Sequence, residues 1–170
     1  QMIRIETWPM PTTRTCYPRS MAAYDENGQV LFRVHSLWVL MDVKTRAMVL
    51  PGKSGVRVEG ILRGTELPTP ASLIPREMER KTTRTVCYSD LDRNGHMNNV
   101  KYLDWSADLL PSSFHREHPP KNISLCYVSE AREGAELSMS WTHSEDNVLR
   151  VEATDTETGK RIFGAEMVCG

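Results

Sequence analysis

Residues 88–111, YSDLDRNGHMNNVKYLDWSADLLP, decide the fold. The second half reads as a helix over 99–110, capped by Asn98 or Asn99 and stopped by Pro111. Lys101, Asp104 and Asp108 fall on one narrow stripe, while Val100, Tyr102, Leu103, Trp105, Ala107, Leu109 and Leu110 cover most of the remaining circumference. Such a helix must be wrapped on nearly all sides. The wrapping is supplied downstream by segments with strand grammar: 123–130, 135–142 (Leu137, Met139 and Trp141 on one face), 147–154 (Leu149, Val151 and Ala153) and 161–169, the last following the turn Glu157-Thr158-Gly159. A strand also leads into the quoted stretch. One antiparallel meander curling around one buried helix is the economical packing, an α+β unit.

The same grammar occurs near the N-terminus. VLFRVHSLWVLM (30–41) follows the turn Asp25-Glu26-Asn27-Gly28, with 19–24 as the other arm and 2–8 as a further strand. ENGQVLFRV (26–34) aligns on ETGKRIFGA (157–165) at an offset of 131 residues, the mark of a duplicated unit. Between the copies, residues 51–75 hold eight of the twenty Gly and Pro, which reads as a linker. The expected division is a partial first unit at 1–50, a linker at 51–82 and a complete second unit at 83–170. Gly159 lies 63 residues after His96 and 76 after Thr83, whereas the matching Gly28 has only 27 residues before it. The repeat therefore leaves the first unit short of a strand and a central helix, about 50 residues. Gln1 falls at the edge of a strand and reads as a cut. A sheet without its helix is expected to expose apolar surface, with aggregation as the consequence.

The 170 residues carry 39% hydrophobic and 25% charged side chains with a net charge of -1, the composition of a folded protein. No basic excess suggests a nucleic-acid binder. No apolar run is long enough for a membrane span, and no leader pattern opens the chain. Cys16, Cys87, Cys126 and Cys169 lie far apart without a C-x-x-C pair, so neither a zinc knuckle nor a disulfide framework is indicated. A reducing compartment follows.

The chemistry is concentrated before the helix, where Asp90, Asp92, Asn94, His96, Asn98 and Asn99 crowd into ten positions. Gly95 permits a sharp turn that aims these side chains inward, and the free N–H groups of the helix start face the same space. Asp90, Asp92, Asn94 and Gly95 match the opening of a calcium loop, but the twelfth position, where a bidentate Glu belongs, is Lys101. The plain alternative is an Asx-rich helix cap with a surface histidine. His115 and His118 beside Pro119-Pro120 read as a solvated connection, and Trp8, Trp38 and Trp141 as core.

D-x-N-x-H-x-N-N over Asp92 to Asn99, followed by V-x-Y-x-x-W over Val100 to Trp105, resembles the signature of the acyl-acyl carrier protein (acyl-ACP) thioesterases of plant plastids and their bacterial relatives. Glu6-Thr7-Trp8, Arg19, Asp25, Gly28, the run Ser36-Leu37-Trp38-Val39-Leu40-Met41 and Thr45-Arg46 resemble the first half of that family. The resemblance implies a tandem hot-dog fold, each unit a curved antiparallel sheet around a helix. It implies catalytic roles for Asp92, Asn94, His96 and, on the next strand, Glu130, and it implies no cofactor or metal. Ala131 stands where the family has a cysteine, so a carboxylate or an activated water must do the work. Cys126 shares strand parity with Glu130 and could face the same pocket, although a strand cysteine is ordinarily core.

The implied reaction is hydrolysis of fatty acyl-ACP to a free fatty acid. Asp92 is the nucleophile or general base, Asn94 and His96 orient it and donate to the oxyanion, and Glu130 positions water or serves as base in the second step. The implied partner is an acidic acyl carrier protein bearing an acyl-phosphopantetheine. A candidate docking segment is 76–84, where Arg76, Arg80, Lys81 and Arg84 stand against Glu77 and Glu79, with Arg57 and Arg63 nearby. A homodimer is compatible with the resemblance. Bacterial cytoplasm is the expected location, with plastid stroma behind an upstream transit peptide as the alternative. A non-catalytic acyl-binding module, an acyl-coenzyme A thioesterase and a hydratase are the competing functions, since hot-dog proteins share architecture. The ETW and SLWVLM segments favour the carrier-protein family.

Overall fold

The computed structural model describes residues 2–76 and 78–170; Glu77 of the expected docking segment and the starting Gln1 lie outside the described residues. The chain divides into two compact units, one ending at Ala71 and one beginning at Ser72.

In the first unit, β1 (Arg4–Pro9), β2 (Tyr17–Tyr24) and β3 (Val30–Trp38) form an antiparallel sheet in that order. The β2–β3 hairpin closes where the sequence places its turn: Gly28 has a φ of +82°, and Asp25 Oδ1 accepts from the N–H groups of Asn27 (2.9 Å) and Gln29 (2.7 Å). The run 30–41 is not one strand. It breaks after Trp38, and Leu40–Met41 (β4) turns aside to pair with Met48–Val49 (β5).

On one sheet face Pro18, Ser20 and Ala22 are buried, with Trp8 opposite Ser20. The segment read as a linker covers this side. It begins with a short helix, α1 (Pro51–Ser54). Further along, the Val58 carbonyl accepts from Thr12 N–H (3.0 Å), and Glu66 accepts from the Trp8 indole (3.2 Å). Arg63 pairs with Glu6 at 2.7 Å, and the Leu67 carbonyl lies 2.9 Å from His35 Nδ1. These polar ties explain why a Gly- and Pro-rich stretch is ordered here. The opposite face carries Ile5, Phe32, Val34 and Trp38, each at least 40% exposed, the apolar surface expected of this sheet.

In the second unit, β6 (Arg80–Thr85), β7 (Pro120–Tyr127), β8 (Glu136–His143), β9 (Val148–Asp155) and β10 (Arg161–Cys169) form one antiparallel sheet in the order β6-β8-β9-β10-β7. The alternation read from the sequence is the core itself. Leu137, Met139, Leu149, Val151, Ala153 and Phe163 are fully buried on the face that receives α2 (Asn99–Ala107). Each such large side chain contributes about 1.5–3 kcal/mol by leaving water.

Helix α2 is shorter and less enclosed than its composition suggests. Tyr102, Trp105 and Ser106 are buried, but Val100 is 61% exposed, because a single sheet covers a single side. Residues 108–110 tighten into bonds from Leu109 N–H to Ser106 O and from Leu110 N–H to Ala107 O, as expected ahead of Pro111. The connection beyond is a second helix, α3 (Ser112–Glu117), rather than a solvated loop. Phe114 packs its ring on His118 and His143, both at 4.8 Å. His115 Nε2 lies 2.9 Å from the Ala107 carbonyl.

Strand β7 begins and ends three residues earlier than its expected range, and this moves two residues of interest. Leu125 packs against the core, so Cys126 points to the other face, where it lies opposite Gly164 and beside the Arg161 guanidinium. That guanidinium is held by Glu152 at 2.7 and 2.9 Å and donates to the Leu73 carbonyl at 2.9 Å. Cys126 therefore shares no pocket with Glu130, which sits beyond the strand end.

Candidate active site

The polar stretch 88–99 folds as two consecutive caps with a tight turn between them. Asp90 is buried in a 3₁₀ turn (Tyr88–Asp90), where its carboxylate accepts from Cys87 N–H at 3.0 Å and its carbonyl accepts from Asn98 N–H at 2.8 Å. Asn98 in turn caps α2, accepting from Val100 N–H through its side chain (3.1 Å) and from Lys101 N–H through its carbonyl (2.8 Å). Asp90 and Asn98 thus build the frame. The N–H groups of Val100 and Lys101 are committed to this cap, so the helix start is a weaker oxyanion donor than its sequence position suggests.

Between the caps, Leu91 and Met97 bridge, and Asp92 and His96 close the turn through Asp92 N–H to His96 O at 2.8 Å. Gly95, with a φ of +73°, permits it. Asp92 Oδ1 accepts from the N–H groups of Asn94 (2.8 Å) and His96 (3.2 Å), and Oδ2 accepts from Asn94 Nδ2 (3.3 Å). The Asn94 N–H above all, with the His96 N–H and the Asn94 amide, holds the Asp92 carboxyl below its ordinary range. Asp92 is therefore an anion across physiological pH, with Oδ1 spent on the loop and Oδ2 the oxygen better placed for chemistry.

Glu130 reaches this loop by backbone pairing. The Val128 and Ser129 N–H groups both donate to Ile162 O (2.9 and 3.2 Å), which ends β7 and swings the chain toward α2. Met97 N–H then donates to Ala131 O at 2.8 Å, and His96 bridges antiparallel to Arg132. The result brings His96 Nε2 to 3.2 Å from Glu130 Oε2, the imidazole 20% and the carboxylate 47% exposed. The approach is close enough for an ion pair once the ring is protonated, yet it is not aligned as a hydrogen bond, and Nε2 has no other acceptor.

The structure thus brings Asp92, Asn94, His96 and Glu130 to one loop cluster at the start of α2. Ala131, which the resemblance sets against the family's cysteine, belongs to the buried cluster that also holds Met97, Tyr102 and Phe163. A side chain there faces the core. Sequence reading missed Arg132. Arg132 is exposed and stands directly opposite His96 in the bridge, an arrangement that puts both side chains on one face. Only the register reveals it. Among the described residues no three His, Cys, Asp or Glu side chains converge as a metal site, and Lys101 of the calcium alternative pairs with Asp104 at 3.4 Å.

A helix backed by an antiparallel sheet, preceded by a unit of the same turn grammar, is the architecture of a tandem hot-dog protein. The acyl-ACP thioesterase of Bacteroides thetaiotaomicron superposes with a TM-score of 0.79 at 25% identity, covering 99% of this chain and 68% of that one. The 12:0-ACP thioesterase of Umbellularia californica has the same fold, with a TM-score of 0.77 at 23% identity over 99% of this chain and 67% of that one. Residues 75–167 match the acyl-ACP thioesterase C-terminal domain and residues 1–50 its N-terminal domain. The chain belongs to the acyl-ACP thioesterase family.

Among curated relatives, the chloroplastic palmitoyl-acyl carrier protein thioesterase of Gossypium hirsutum is 26% identical over 156 residues, 86% of this chain and 38% of the relative. The chloroplastic oleoyl-acyl carrier protein thioesterase 1 of Arabidopsis thaliana is 29% identical over 175 residues, 93% of this chain and 48% of the relative. The chain spans less than half the length of either. Among the described residues no helix is long and apolar enough to cross a membrane.

Proposed function

We propose that this chain hydrolyses the thioester of fatty acyl-ACP, releasing a free fatty acid and the carrier's phosphopantetheine thiol. The observation that carries the reading is the approach of His96 to Glu130 beside the anionic Asp92 loop. Glu130 and the His96 imidazole then meet beside the Asp92 turn that leads into α2.

A thioester carbonyl is electrophilic and its thiolate leaves readily, so modest activation suffices. In the proposed sequence Asp92 Oδ2 attacks the carbonyl carbon, Asn94 Nδ2 supports the developing oxyanion, and the C–S bond breaks to give an acyl-aspartyl anhydride. The thiolate takes a proton from the His96 imidazolium. Glu130 and the now neutral imidazole draw a proton from water, which opens the anhydride, regenerates the Asp92 carboxylate and frees the fatty acid. Direct attack by a water that Asp92 deprotonates needs the same residues and the same balance. The buried Ala131 supports a route without a cysteine nucleophile.

For the carrier, strand geometry divides the basic segment at 76–84. Arg80 stacks over Trp141 and Arg84 over Trp105, both at 4.7 Å, while Lys81 between them points to the opposite sheet face. We place the docking emphasis instead on Arg93 in the catalytic turn and Arg132 beside it, both exposed. The proposed compartment is one where carrier-bound fatty acids are made, the bacterial cytoplasm, with plastid stroma as the alternative that the chloroplastic relatives support. The test is thiol release from acyl-ACP set against acyl-coenzyme A. Release from the carrier substrate supports the reading. Release from coenzyme A alone redirects it to a coenzyme A thioesterase, and release from neither redirects it to an acyl-binding module.

A further inference from the structure

Glu130 sits between two anchors of different kinds. Downstream of it, Met97 N–H donates to the Ala131 carbonyl at 2.8 Å, within the bridge that brings His96 alongside. Upstream of it, the phenol of Tyr127, the last residue of β7, donates to the Asn99 carbonyl at 3.1 Å. The Tyr127 ring is steadied for this by an edge contact with Tyr102, with 5.7 Å between centroids. Asn99 opens α2 and follows the cap residue Asn98, whose N–H is bonded to Asp90 O at 2.8 Å. The Asn99 carbonyl is therefore a fixed point of the frame that flanks the Asp92 turn. Only Val128 and Ser129 stand between Tyr127 and Glu130, and both of their N–H groups are spent on the Ile162 carbonyl. A single hydrogen bond between two segments acts as a pivot. A second tie, at Asn99 rather than Met97 on one segment and at Tyr127 rather than Ala131 on the other, turns the pivot into a set angle.

We propose that Tyr127 is a positioning residue: its hydroxyl, bonded to the Asn99 carbonyl, fixes the end of β7 against the helix start and with it the angle at which Glu130 meets His96 Nε2. The inference rests on reading His96 and Glu130 as the acid–base pair. Their atoms approach to 3.2 Å but lie off the line of a hydrogen bond, so a small rotation of the segment that carries Glu130 changes the contact. Burial pushes the Tyr127 phenol up, and it remains a donor throughout neutral pH. A tyrosine present only as packing would be replaceable by phenylalanine without consequence for the pair, since the ring keeps its place against Tyr102.

The test is Tyr127→Phe against the parent chain and Glu130→Gln. With acyl-ACP as substrate, Tyr127→Phe is expected to lower kcat by about tenfold while KM stays within about twofold, the pattern of a lost orienting contact. A second readout needs no turnover. The 15N shift of His96 Nε2 at neutral pH is expected to move in Tyr127→Phe in the same direction as in Glu130→Gln. A lowered melting temperature with the parent's kcat and His96 signals would overturn the idea, because the phenol would then hold the fold and not the pair. It is equally overturned if Glu130→Gln leaves the His96 signals in place, since there is then no pairing to set. An unfolded Tyr127→Phe, seen by circular dichroism, would also overturn it, by making the hydroxyl a requirement of the fold. A parent chain that shows no turnover counts against the hydrolase reading alone, and the His96 signals still decide the role of Tyr127.

Discussion

His96 Nε2 lies 3.2 Å from Glu130 Oε2 because the backbone of the next residue, Met97, is bonded to Ala131 at 2.8 Å. The two side chains are 34 positions apart in sequence, and the short bridge between them sets their separation. Asp92→Asn and His96→Ala are each expected to abolish measurable acyl-ACP hydrolysis, and Glu130→Gln to lower kcat by about 10²–10⁴-fold. Asparagine keeps an acceptor oxygen for the Asn94 and His96 amides, so the turn survives in that variant. Purified variants with native circular dichroism and parental rates would remove these residues from the mechanism.

Acid sensitivity follows from the Asp92 carboxyl, whose folded-state pKa is depressed chiefly by the Asn94 N–H. A group of this kind adds stability that is present above its unfolded value near 3.9 and is lost as pH falls through the lower folded value. Melting temperatures recorded downward from pH 5 should therefore fall less steeply in Asp92→Asn than in the parent. The difference is small, because the carboxylate faces solvent. Equal slopes would mean that the loop amides do not favour the charged form.

Much of this site is legible in the sequence and part of it is not, for reasons that differ by residue. The loop residues Asp92, Asn94 and His96 are close neighbours in the chain, and Gly95 announces the turn that gathers them. The alternation of Leu137 with Met139, and of Leu149 with Val151 and Ala153, reads directly as the buried sheet face. Glu130 was expected on a strand. It lies past the end of one because two N–H groups converge on the Ile162 carbonyl, a tertiary bond without a local signal. Strand parity lets Cys126 share a face with Glu130, with core the favoured reading, whereas β7 ends at Tyr127 and Cys126 lies on the face opposite to Leu125. Helix α3 is masked in the sequence by the prolines on either side of it, and the Gly- and Pro-rich stretch after residue 50 packs through polar ties that no periodicity records.

At alkaline pH the five tyrosines should separate. Burial raises Tyr127, and it raises Tyr102 to about 12. A folded-state value above the unfolded value near 10 means stability that is intact below pH 10 and is lost as pH rises through 12. Absorbance at 295 nm should thus show two tyrosines ionising late, together with unfolding. Tyr102→Phe should remove one late equivalent, and five tyrosines titrating together near pH 10 would contradict the burial.

Carrier recognition gives a comparison of two basic regions. Arg132→Glu, next to the pair and on its face, is expected to raise KM for acyl-ACP severalfold at low salt and to change hydrolysis of a small acyl thioester little. Reversing Arg80 and Lys81 together should do less, because these neighbours project to opposite sides of β6. Measuring KM at two ionic strengths separates steering from misfolding, since only steering weakens with salt. A larger effect from the Arg80 and Lys81 reversal would restore the segment at 76–84 as the docking surface.

Two glycines in the first unit test whether the stretch after residue 50 is integral to it. Gly60 and Gly55 both have left-handed backbones, with φ of +67° and +70°. Around Gly55 nothing lies within 4 Å of an added Cβ, whereas at Gly60 that atom would fall 2.1 Å from the carbonyl carbon of Met10. The Met10 backbone cannot yield freely, because its N–H donates to Pro18 O at 2.9 Å and Ile61 N–H donates to Pro9 O at 2.9 Å. Alanine at position 55 should therefore cost about 1–2 kcal/mol, the left-handed penalty alone. Alanine at position 60 should add a steric term of about 1–3 kcal/mol for forced backbone shifts. Urea unfolding followed by the fluorescence of Trp8, which bonds to Glu66 within the same packed stretch, reports on this unit. Equal midpoints for Gly60→Ala and Gly55→Ala would show that residues 58–67 do not lie against β1 and that the segment is a linker after all.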